Sequence, residues 1–278
     1  MTSTSQSALP VAEGSAPRRR IAVPRPLRVV LLGSLFAAFF LGSPVIAVVL
    51  FPLLRLVSGP NAKRRATYFL HRGMAFIAWI ARVCGVVDLD LPPPPVDTTK
   101  PYVMISNHPT YIDMIVILGA FDRLTCVTNG RWWKHWALGR LLRATEYLPG
   151  PGSGLPESDS MLELMVAHIR SGHPLLIFPE GQRSLPSQLR RFRRGAVEAA
   201  TRADVPIVPL FLAIDRPYLT KSVSIWQAPR RAPTYRFDWF SVIHPAEFEH
   251  DAKRIQKHLD ALYEARFAEQ HALHLLPE

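Results

Sequence analysis

The sequence predicts an α/β fold, with helices flanking a largely parallel sheet and an N-terminal helical membrane anchor in front of it. Two observations predict the fold. From residue 102 onward, short β-rich runs alternate with helical patterns, which is typical of parallel sheets covered by helices. Val29 to Leu54 carries no charge over about 26 residues, where a bilayer span needs about 20.

The composition indicates a folded protein of one large domain plus an appendage. The chain has 278 residues, a hydrophobic share of 48% and a net charge of +11. A basic balance suits anionic lipid headgroups, nucleic acid or phosphorylated small molecules, so charge by itself selects no partner. Cys84 and Cys126 match no metal or CxxC spacing, which favours a reducing compartment.

The chain divides into four predicted segments. Residues 1–26, rich in Ser, Ala, Pro and Arg, are expected to form a disordered basic tail. Residues 27–90 are expected to form membrane-inserted and amphipathic helices. Residues 91–100 contain a run of prolines and predict a stiff linker. The remaining segment, residues 101–278, is expected to hold the α/β domain.

The topology of the membrane segment is open. Pro44 and Pro52 interrupt the apolar helix and permit a bend, so the segment either crosses once or dips in and returns. A cleavable signal peptide would have an apolar region about half this length. Similar numbers of basic residues flank both ends, which favours a bent, monotopic insertion with both ends in the cytoplasm. The following stretch, residues 61–87, has helical spacing and is either an amphipathic helix on the bilayer or an ordinary core helix.

The α/β elements follow in order. The predicted strands are residues 102–106, 124–128, 174–178 and 206–214, and the predicted helices are residues 112–121, 160–172 and 195–204. Sites in such sheets usually lie beyond the carboxyl ends of the strands. We therefore expect Asn107 and His108, after the first strand, to meet Pro179 and Glu180, after the third.

The stretch SNHPTYIDMI, beginning at Ser106, places a histidine and an aspartate at the start of an apolar run. In one continuous helix, residues five apart point about 140° away from each other, so His108 could not meet Asp113. Pro109 relieves this difficulty, because the residue before a proline leaves the helical region and proline is favoured at the first helical position. His108 is then expected just outside a helix that starts at Pro109.

A carboxylate that binds one imidazole nitrogen fixes the tautomer and stabilises the cation that forms when the other nitrogen takes a proton. His108 and Asp113 are therefore candidates for a general base. No serine or cysteine nucleophile is evident nearby, so the base would act directly on a substrate hydroxyl. The alternative is a capping cluster in which Asn107 or Thr110 satisfies the helix amides.

A second polar stretch, FPEGQRS at 178–184, follows the third predicted strand. Its arginine, Arg183, could hold a phosphate or carboxylate through paired hydrogen bonds, or form a surface ion pair with Glu180.

These motifs resemble those of the lysophospholipid and glycerolipid acyltransferases, the family that includes 1-acylglycerol-3-phosphate acyltransferase. Asn107-His108 followed by Asp113 matches the H-x4-D motif, and FPEGQRS looks like the family's F-P-E-G-T-R-S block. FRRGA at 192–196 and VPIVP at 205–209 follow in the family's order. The resemblance covers residues from Tyr102 to about Ile243.

The resemblance implies a membrane-bound O-acyltransferase of phospholipid biosynthesis, with residues 101–278 as the acyltransferase domain. It would move a fatty acyl group from acyl-CoA or an acyl carrier protein to a hydroxyl of a lysolipid, without a metal or further cofactor. His108 and Asp113 would be catalytic, and backbone amides at the helix start could steady the oxyanion. The implied substrate-binding residues are Asn107, Glu180, Gly181, Arg183 and Ser184.

The resemblance also implies partners and a location. We expect contacts with membrane lipids and the thioester donor, and none with nucleic acid. The expected location is a bacterial inner membrane, with the catalytic domain on the cytoplasmic side. A basic run could attract the phosphates of coenzyme A or an acidic carrier protein, or be a solvated face; it contains Arg190, Arg191, Arg193 and Arg194.

One stretch departs from the family pattern. Members that use glycerol phosphates carry an arginine where this chain has Tyr147, Leu148 and Pro149. Arg131 or Arg143 could substitute for it. Nearby tryptophans could line an acyl or aromatic pocket or anchor at the membrane interface; they are Trp132, Trp133 and Trp136.

The departure leaves other functions open. The acceptor could be a non-glycerol lipid, such as lyso-ornithine lipid or an aryl polyene lipid. A catalytically idle, membrane-tethered lipid-binding protein is an alternative of another class, although a binder would need neither His108 nor Asp113.

Overall fold

The sheet of this protein is mixed but mostly parallel. The computed structural model describes residues 23–136, 138–153, 158–185, 188–216 and 218–274. Within these residues seven strands pair in the order β1-β7-β6-β2-β5-β3-β4, and only β6 with β7 is antiparallel. The strands are β1 (Asp88–Asp90), β2 (Val103–Ser106), β3 (Thr125–Thr128), β4 (Leu148–Pro149), β5 (Leu175–Ile177), β6 (Ile207–Ile214) and β7 (Thr234–Trp239).

Helices pack on both faces of the sheet, because alternate residues of each strand point to opposite sides. In β2, Met104 belongs to a core with the helices at residues 62–83 and 113–120, whereas Val103 and Ile105 belong to a second core with the helices at residues 158–170, 195–203 and 252–274. The predicted α/β class is therefore confirmed. The helices are α1 (Arg25–Val45), α2 (Phe51–Ser58), α3 (Ala62–Val83), α4 (Asp113–Ala120), α5 (Gly130–Lys134), α6 (Leu138–Ala144), α7 (Ser158–Arg170), α8 (Gly195–Ala203) and α9 (Ala252–His274).

The four predicted strands and three predicted helices of the α/β domain are confirmed, with small shifts at their ends. The elements β1, β4, β7, α5, α6 and α9 were not predicted from the sequence. Strand β1 pairs with β7, so the sheet begins before the predicted linker at residues 91–100. The predicted basic tail lies almost wholly outside the described residues.

The N-terminal helices form a hairpin on the α/β domain. Between Pro44 and Pro52 the helix continues as a π-helical turn, Ile46–Leu50, and Gly59 with a φ of +50° ends α2 before α3 returns. Arg28, at the start of α1, is buried and donates to the carbonyl oxygen of Gly85 at 3.2 Å, just beyond the end of α3. The hairpin therefore starts and ends at the same place.

Many apolar side chains of the hairpin are exposed. Within the described residues, Arg25–Val83 is the one helical stretch that is long and apolar enough to cross a membrane, and 17% of its most apolar window is buried. The face of α3 that contacts α4 is buried, so α3 combines a core face with an exposed apolar face. The exposed apolar side chains of the hairpin are Leu27, Val30, Phe40, Leu41, Val45, Val48, Val49, Leu53, Leu56, Val57, Tyr68, Phe69, Phe76, Trp79 and Val83.

Candidate active site

The two polar motifs meet beyond the carboxyl ends of the neighbouring strands β2 and β5, as predicted. His108 follows β2, and its backbone N–H donates to Oε1 of Glu180, which follows β5, at 3.2 Å. Ser184 closes the junction, because its N–H donates to the carbonyl oxygen of His108 at 2.7 Å. The parallel pairing of β2 with β5 brings these loops to one edge of the sheet.

His108 and Asp113 form the predicted pair. Nδ1 of His108 lies 2.8 Å from Oδ2 of Asp113. The aspartate side chain is fully buried and the histidine side chain is 18% exposed. An Nδ1–H that donates to the carboxylate leaves Nε2 as the basic nitrogen, and no described residue bonds to Nε2. Phe178 stacks on the imidazole at 4.3 Å between ring centroids and holds its orientation.

The local conformation that allows this contact differs from the prediction. Helix α4 begins at Asp113, so the prediction that Pro109 opens the helix is wrong. Hydrogen bonds to Asp113 hold the loop 107–112 against the start of α4. Oδ2 accepts the N–H of Thr110 at 2.8 Å, and Oδ1 accepts the Thr110 hydroxyl. One carboxylate thus fixes both the loop and the imidazole.

Asn107 does not cap a helix. Its side chain forms a pair of hydrogen bonds with the backbone of Leu212 in β6, with Nδ2 donating to the carbonyl oxygen at 3.1 Å and Oδ1 accepting the N–H at 2.7 Å. Neither Asn107 nor Thr110 caps α4, since the residue before the helix, Ile112, makes no side-chain cap. Asn107 instead fixes the end of β2 to β6, and its predicted contact with substrate stays a prediction.

Glu180 is a buried organiser of the loop rather than the ion-pair partner of Arg183. Its carboxylate accepts from the His108 N–H, the Ser184 hydroxyl at 2.5 Å and the Arg190 N–H at 3.1 Å. Burial raises the pKa of Glu180, and these three hydrogen bonds oppose the shift by stabilising the charged form. Gly181 sits at the turn with a φ of +69°, a conformation that favours glycine.

Arg183 lies over the ring of Tyr111, with Cζ 3.5 Å from the ring centroid. Its guanidinium makes no hydrogen bond to a described residue, and Nη1 is buried without a partner. A guanidinium in this state can receive a phosphate or carboxylate through two parallel hydrogen bonds.

The backbone amides of the loop are already in use. The N–H groups of His108, Thr110, Tyr111 and Ile112 all donate to protein oxygens. The predicted oxyanion donors would therefore have to come from Asp113 onward, and that role stays a prediction.

The stretch that departs from the family pattern faces inward. Tyr147 is buried, and its hydroxyl lies 2.8 Å from Nε2 of His71 in α3. Arg143 donates to the carbonyl oxygen of Trp133 at 2.8 Å, and Trp132 and Trp136 are exposed.

Three residues of this site make contacts that the sequence did not predict: Thr110, which holds Asp113; Phe178, which stacks on His108; and Tyr111, which stacks on Arg183. All three lie inside the two motifs, and this position in the sequence was the one indication that they belong to the site. Among the described residues, no group of three or more His, Cys, Asp or Glu side chains is placed to hold a metal ion.

The chain is similar to known acyltransferases. A family model described as "Acyltransferase" matches residues 92–213. The chain is 28% identical to mouse 1-acyl-sn-glycerol-3-phosphate acyltransferase alpha over 138 residues, which are 48% of this chain and 47% of that protein. It is 27% identical to a Pseudomonas aeruginosa lyso-ornithine lipid O-acyltransferase over 140 residues, 50% of this chain and 53% of that protein.

The fold is shared with a solved structure. The crystal structure of the 1-acyl-sn-glycerophosphate (LPA) acyltransferase PlsC from Thermotoga maritima matches with a TM-score of 0.61 and 16% identity, covering 88% of this chain and 97% of that one. The curated relatives from Mycoplasma and mouse are matched over less than half of their length. The acyltransferase family model thus matches the first part of the α/β domain, and the fold of the chain is PlsC-like.

Proposed function

We propose that this protein is a membrane-bound O-acyltransferase that moves a fatty acyl group from an acyl thioester to a hydroxyl of a lysolipid. The observation that carries the proposal is the His108–Asp113 pair, with its contact of 2.8 Å and its second imidazole nitrogen unpaired by any described residue. The pair stands where the loops after β2 and β5 meet, beside a guanidinium suited to an anionic group.

The chemistry follows from the geometry. Nε2 of His108 takes the proton of the acceptor hydroxyl, while the buried carboxylate of Asp113 stabilises the imidazolium. The hydroxyl oxygen attacks the thioester carbonyl carbon and forms the ester bond. The carbon–sulfur bond then breaks, and the departing thiolate takes the proton back from Nε2. Protons and charges balance without any further reactant.

The residues around the pair divide into two groups. Arg183 binds the anionic group of the acceptor, since its guanidinium has no hydrogen-bond partner among the described residues. Glu180 and Ser184 act through position, because their side chains accept from the backbone N–H of His108. Asn107 does so as well, because its side chain bonds to the backbone of Leu212. The glycine at 181 allows the turn that brings the two motifs together.

The donor is an acyl-CoA or an acyl carrier protein, and the basic run after the second motif is suited to either. Arg193 reaches this loop, since a Cβ placed at Gly181 would lie 3.3 Å from its Cζ. Arg191 and Arg194 are exposed and line, with Gln256, a cleft of about 410 Å³. The cationic side chains of this run would draw a polyanionic donor.

The hairpin α1–α3 is the membrane anchor. Its exposed apolar side chains would enter the lipid, and its basic residues at the bend, Lys63, Arg64 and Arg65, suit anionic headgroups. The contact of Arg28 with Gly85 places both ends of the hairpin together, which supports an insertion with both ends on one side. We place that side in the cytoplasm of a bacterial cell. Reporters fused at residues 20 and 95 test this, and opposite sides for the two would contradict it.

A non-glycerol acceptor is a second candidate, favoured by two observations. One relative is named a lyso-ornithine lipid O-acyltransferase. Tyr147, which replaces the arginine expected for glycerol phosphates, is buried against His71 and contributes no cation. Lyso-ornithine lipid would present a carboxylate to Arg183 in place of a phosphate.

The test is acyl transfer from thioesters to a panel of lysolipids by the purified full chain and by His108→Ala. General-base catalysis contributes typically 10²–10⁴-fold, so we expect a loss of about that size. The matched control is His250→Ala, because His250 forms a surface pair with Asp204 at 3.0 Å and lies in another part of the chain.

Three outcomes separate the possibilities. Equal turnover by wild type and His108→Ala would end the general-base role. No turnover with any acceptor would favour an idle lipid-binding protein. Turnover restricted to one headgroup would name the acceptor.

A further inference from the structure

The guanidinium of Arg183 rests on an aromatic platform. Its Cζ lies 3.5 Å from the centroid of the Tyr111 ring, well inside the 6 Å at which a cation is attracted to an aromatic face. Tyr111 is 54% exposed, so the ring does not serve the core. Burial in the core therefore does not explain why the Tyr111 ring lies against Arg183.

Hydrogen bonds of the backbone fix the positions of both Tyr111 and Arg183. The N–H of Tyr111 donates to the carbonyl oxygen of Leu219 at 3.2 Å. The carbonyl oxygen of Arg183 accepts from Nε of Arg190 at 3.4 Å, and the next residue, Ser184, is bonded to the backbone of His108. The stack is therefore tied to the same loop as the catalytic pair.

The stacking leaves the hydrogen-bonding edge of the guanidinium free. No described residue accepts from Arg183, and Nη1 is buried without a partner. Glu180, the obvious counter-ion, directs its oxygens to His108, Ser184 and Arg190 instead. An arginine held by its face rather than by its N–H groups keeps those groups available for a planar anionic ligand.

We propose that Tyr111 is a positioning residue that holds Arg183 ready for the anionic group of the acceptor lipid. This inference rests on the proposed function. The chemistry recognised is a phosphate or a carboxylate next to the receiving hydroxyl. Without the ring, the guanidinium would sample other rotamers, and binding of an anionic acceptor would have to order it first.

The experiment compares wild type with Tyr111→Phe and Tyr111→Leu in detergent micelles, with saturating acyl thioester and varied acceptor. The acceptors are a lysolipid with a phosphate, one with a carboxylate, and neutral monoacylglycerol. For the anionic acceptor that wild type uses, we expect Tyr111→Leu to raise KM about tenfold, equivalent to about 1.4 kcal/mol, with kcat nearly unchanged. Tyr111→Phe keeps the ring and should restore the wild-type KM.

Two controls isolate the stack. Trp226→Leu removes another exposed aromatic side chain, 75% exposed, and should leave KM unchanged. Adding Tyr111→Leu to Arg183→Gln should raise KM no further than Arg183→Gln does, because the ring acts through the arginine. If Tyr111→Leu does not fold, Tyr111→Met takes its place.

Three results would contradict the positioning role of Tyr111, and a fourth would contradict the proposed function as well. An unchanged KM in Tyr111→Leu, an equal rise for neutral and anionic acceptors, or a Tyr111→Phe variant as impaired as Tyr111→Leu would overturn the positioning role while leaving the acyltransferase function standing. A wild type without turnover on any acceptor would overturn both.

Discussion

Asp113→Asn is the sharpest perturbation of the candidate site, because it removes a charge and keeps the shape. The side chain is fully buried and holds three groups: Nδ1 of His108, and the N–H and hydroxyl of Thr110. An asparagine oxygen in the place of Oδ2 could still accept from His108 and from the Thr110 N–H. The Thr110 hydroxyl would lose its acceptor, because it would face the amide nitrogen in place of Oδ1 and its oxygen already accepts from the Ile112 N–H and the Tyr235 hydroxyl.

The size of the effect follows from the distance. With Nδ1 and Oδ2 2.8 Å apart, the charge centres of imidazolium and carboxylate are about 4 Å apart, and at an effective dielectric constant of 20 their attraction is about 4 kcal/mol. This attraction exists only when His108 is protonated, so it stabilises the transition state and not the resting enzyme. Its loss corresponds to a fall of about 10³-fold in kcat.

The assay is steady-state acyl transfer by wild type, Asp113→Asn, His108→Ala and the double variant, with thermal unfolding to confirm that each is folded. The double variant should be no slower than His108→Ala, because the aspartate acts through the histidine. Asp204→Asn, at the surface pair with His250, is the matched control and should be as active as wild type. A folded Asp113→Asn variant within threefold of wild type, or a double variant slower by the product of the two losses, would refute the reasoning.

Further predictions concern the surroundings of the site and the fold. Glu180→Gln should lower the unfolding temperature and slow turnover by tenfold or more. One of the three groups that donate to the Glu180 carboxylate would then face an N–H group of the new amide, at a cost of about 1–3 kcal/mol. Retained activity would contradict the organising role. Burial lowers the pKa of His168 to about 4 from 6.5, so the unfolded chain binds the proton more tightly, and stability is complete above pH 6.5 and falls as the pH drops toward 4. The share of this loss that comes from His168 is at most about 3 kcal/mol and should be absent in His168→Gln, as unfolding temperatures at several pH values would show. Arg28→Met leaves the carbonyl oxygens that the guanidinium holds unpaired and should destabilise the hairpin by about 2 kcal/mol, seen as faster protease cleavage near the start of α1. The double variant Arg191→Gln, Arg194→Gln should raise KM for the acyl donor, an effect that high salt should mask. An unchanged KM at low salt would show that these two arginines do not bind the donor.

The sequence by itself determined the class of fold and the two chemical motifs. Alternating strand and helix patterns located β2, β3, β5 and β6 and the helices between them, because a strand buried on both faces is a short apolar run in any context. Strand β1, with the sequence DLD, carries no such pattern. It is a strand because it pairs with Thr234–Arg236 of β7, a contact that local propensity does not encode.

The pairing of His108 with Asp113 was predictable, but its geometry was not. The conformational preferences of proline predicted a helix start at Pro109. In the structure the buried carboxylate of Asp113 binds Thr110, and Asp113 is the first residue of the helix. Several hydrogen bonds to one charged group outweigh a modest conformational preference of a single residue.

The tertiary structure alone decided what the second motif does. Glu180 and Arg183 lie three residues apart, and the sequence suggested either acceptor binding or an ion pair between them. In the fold, Glu180 turns inward to the backbone of His108, 72 residues earlier in the chain, and Arg183 turns outward onto Tyr111. These partners depend on the pairing of β2 with β5, and a buried carboxylate must bond to whatever donors that pairing brings within reach.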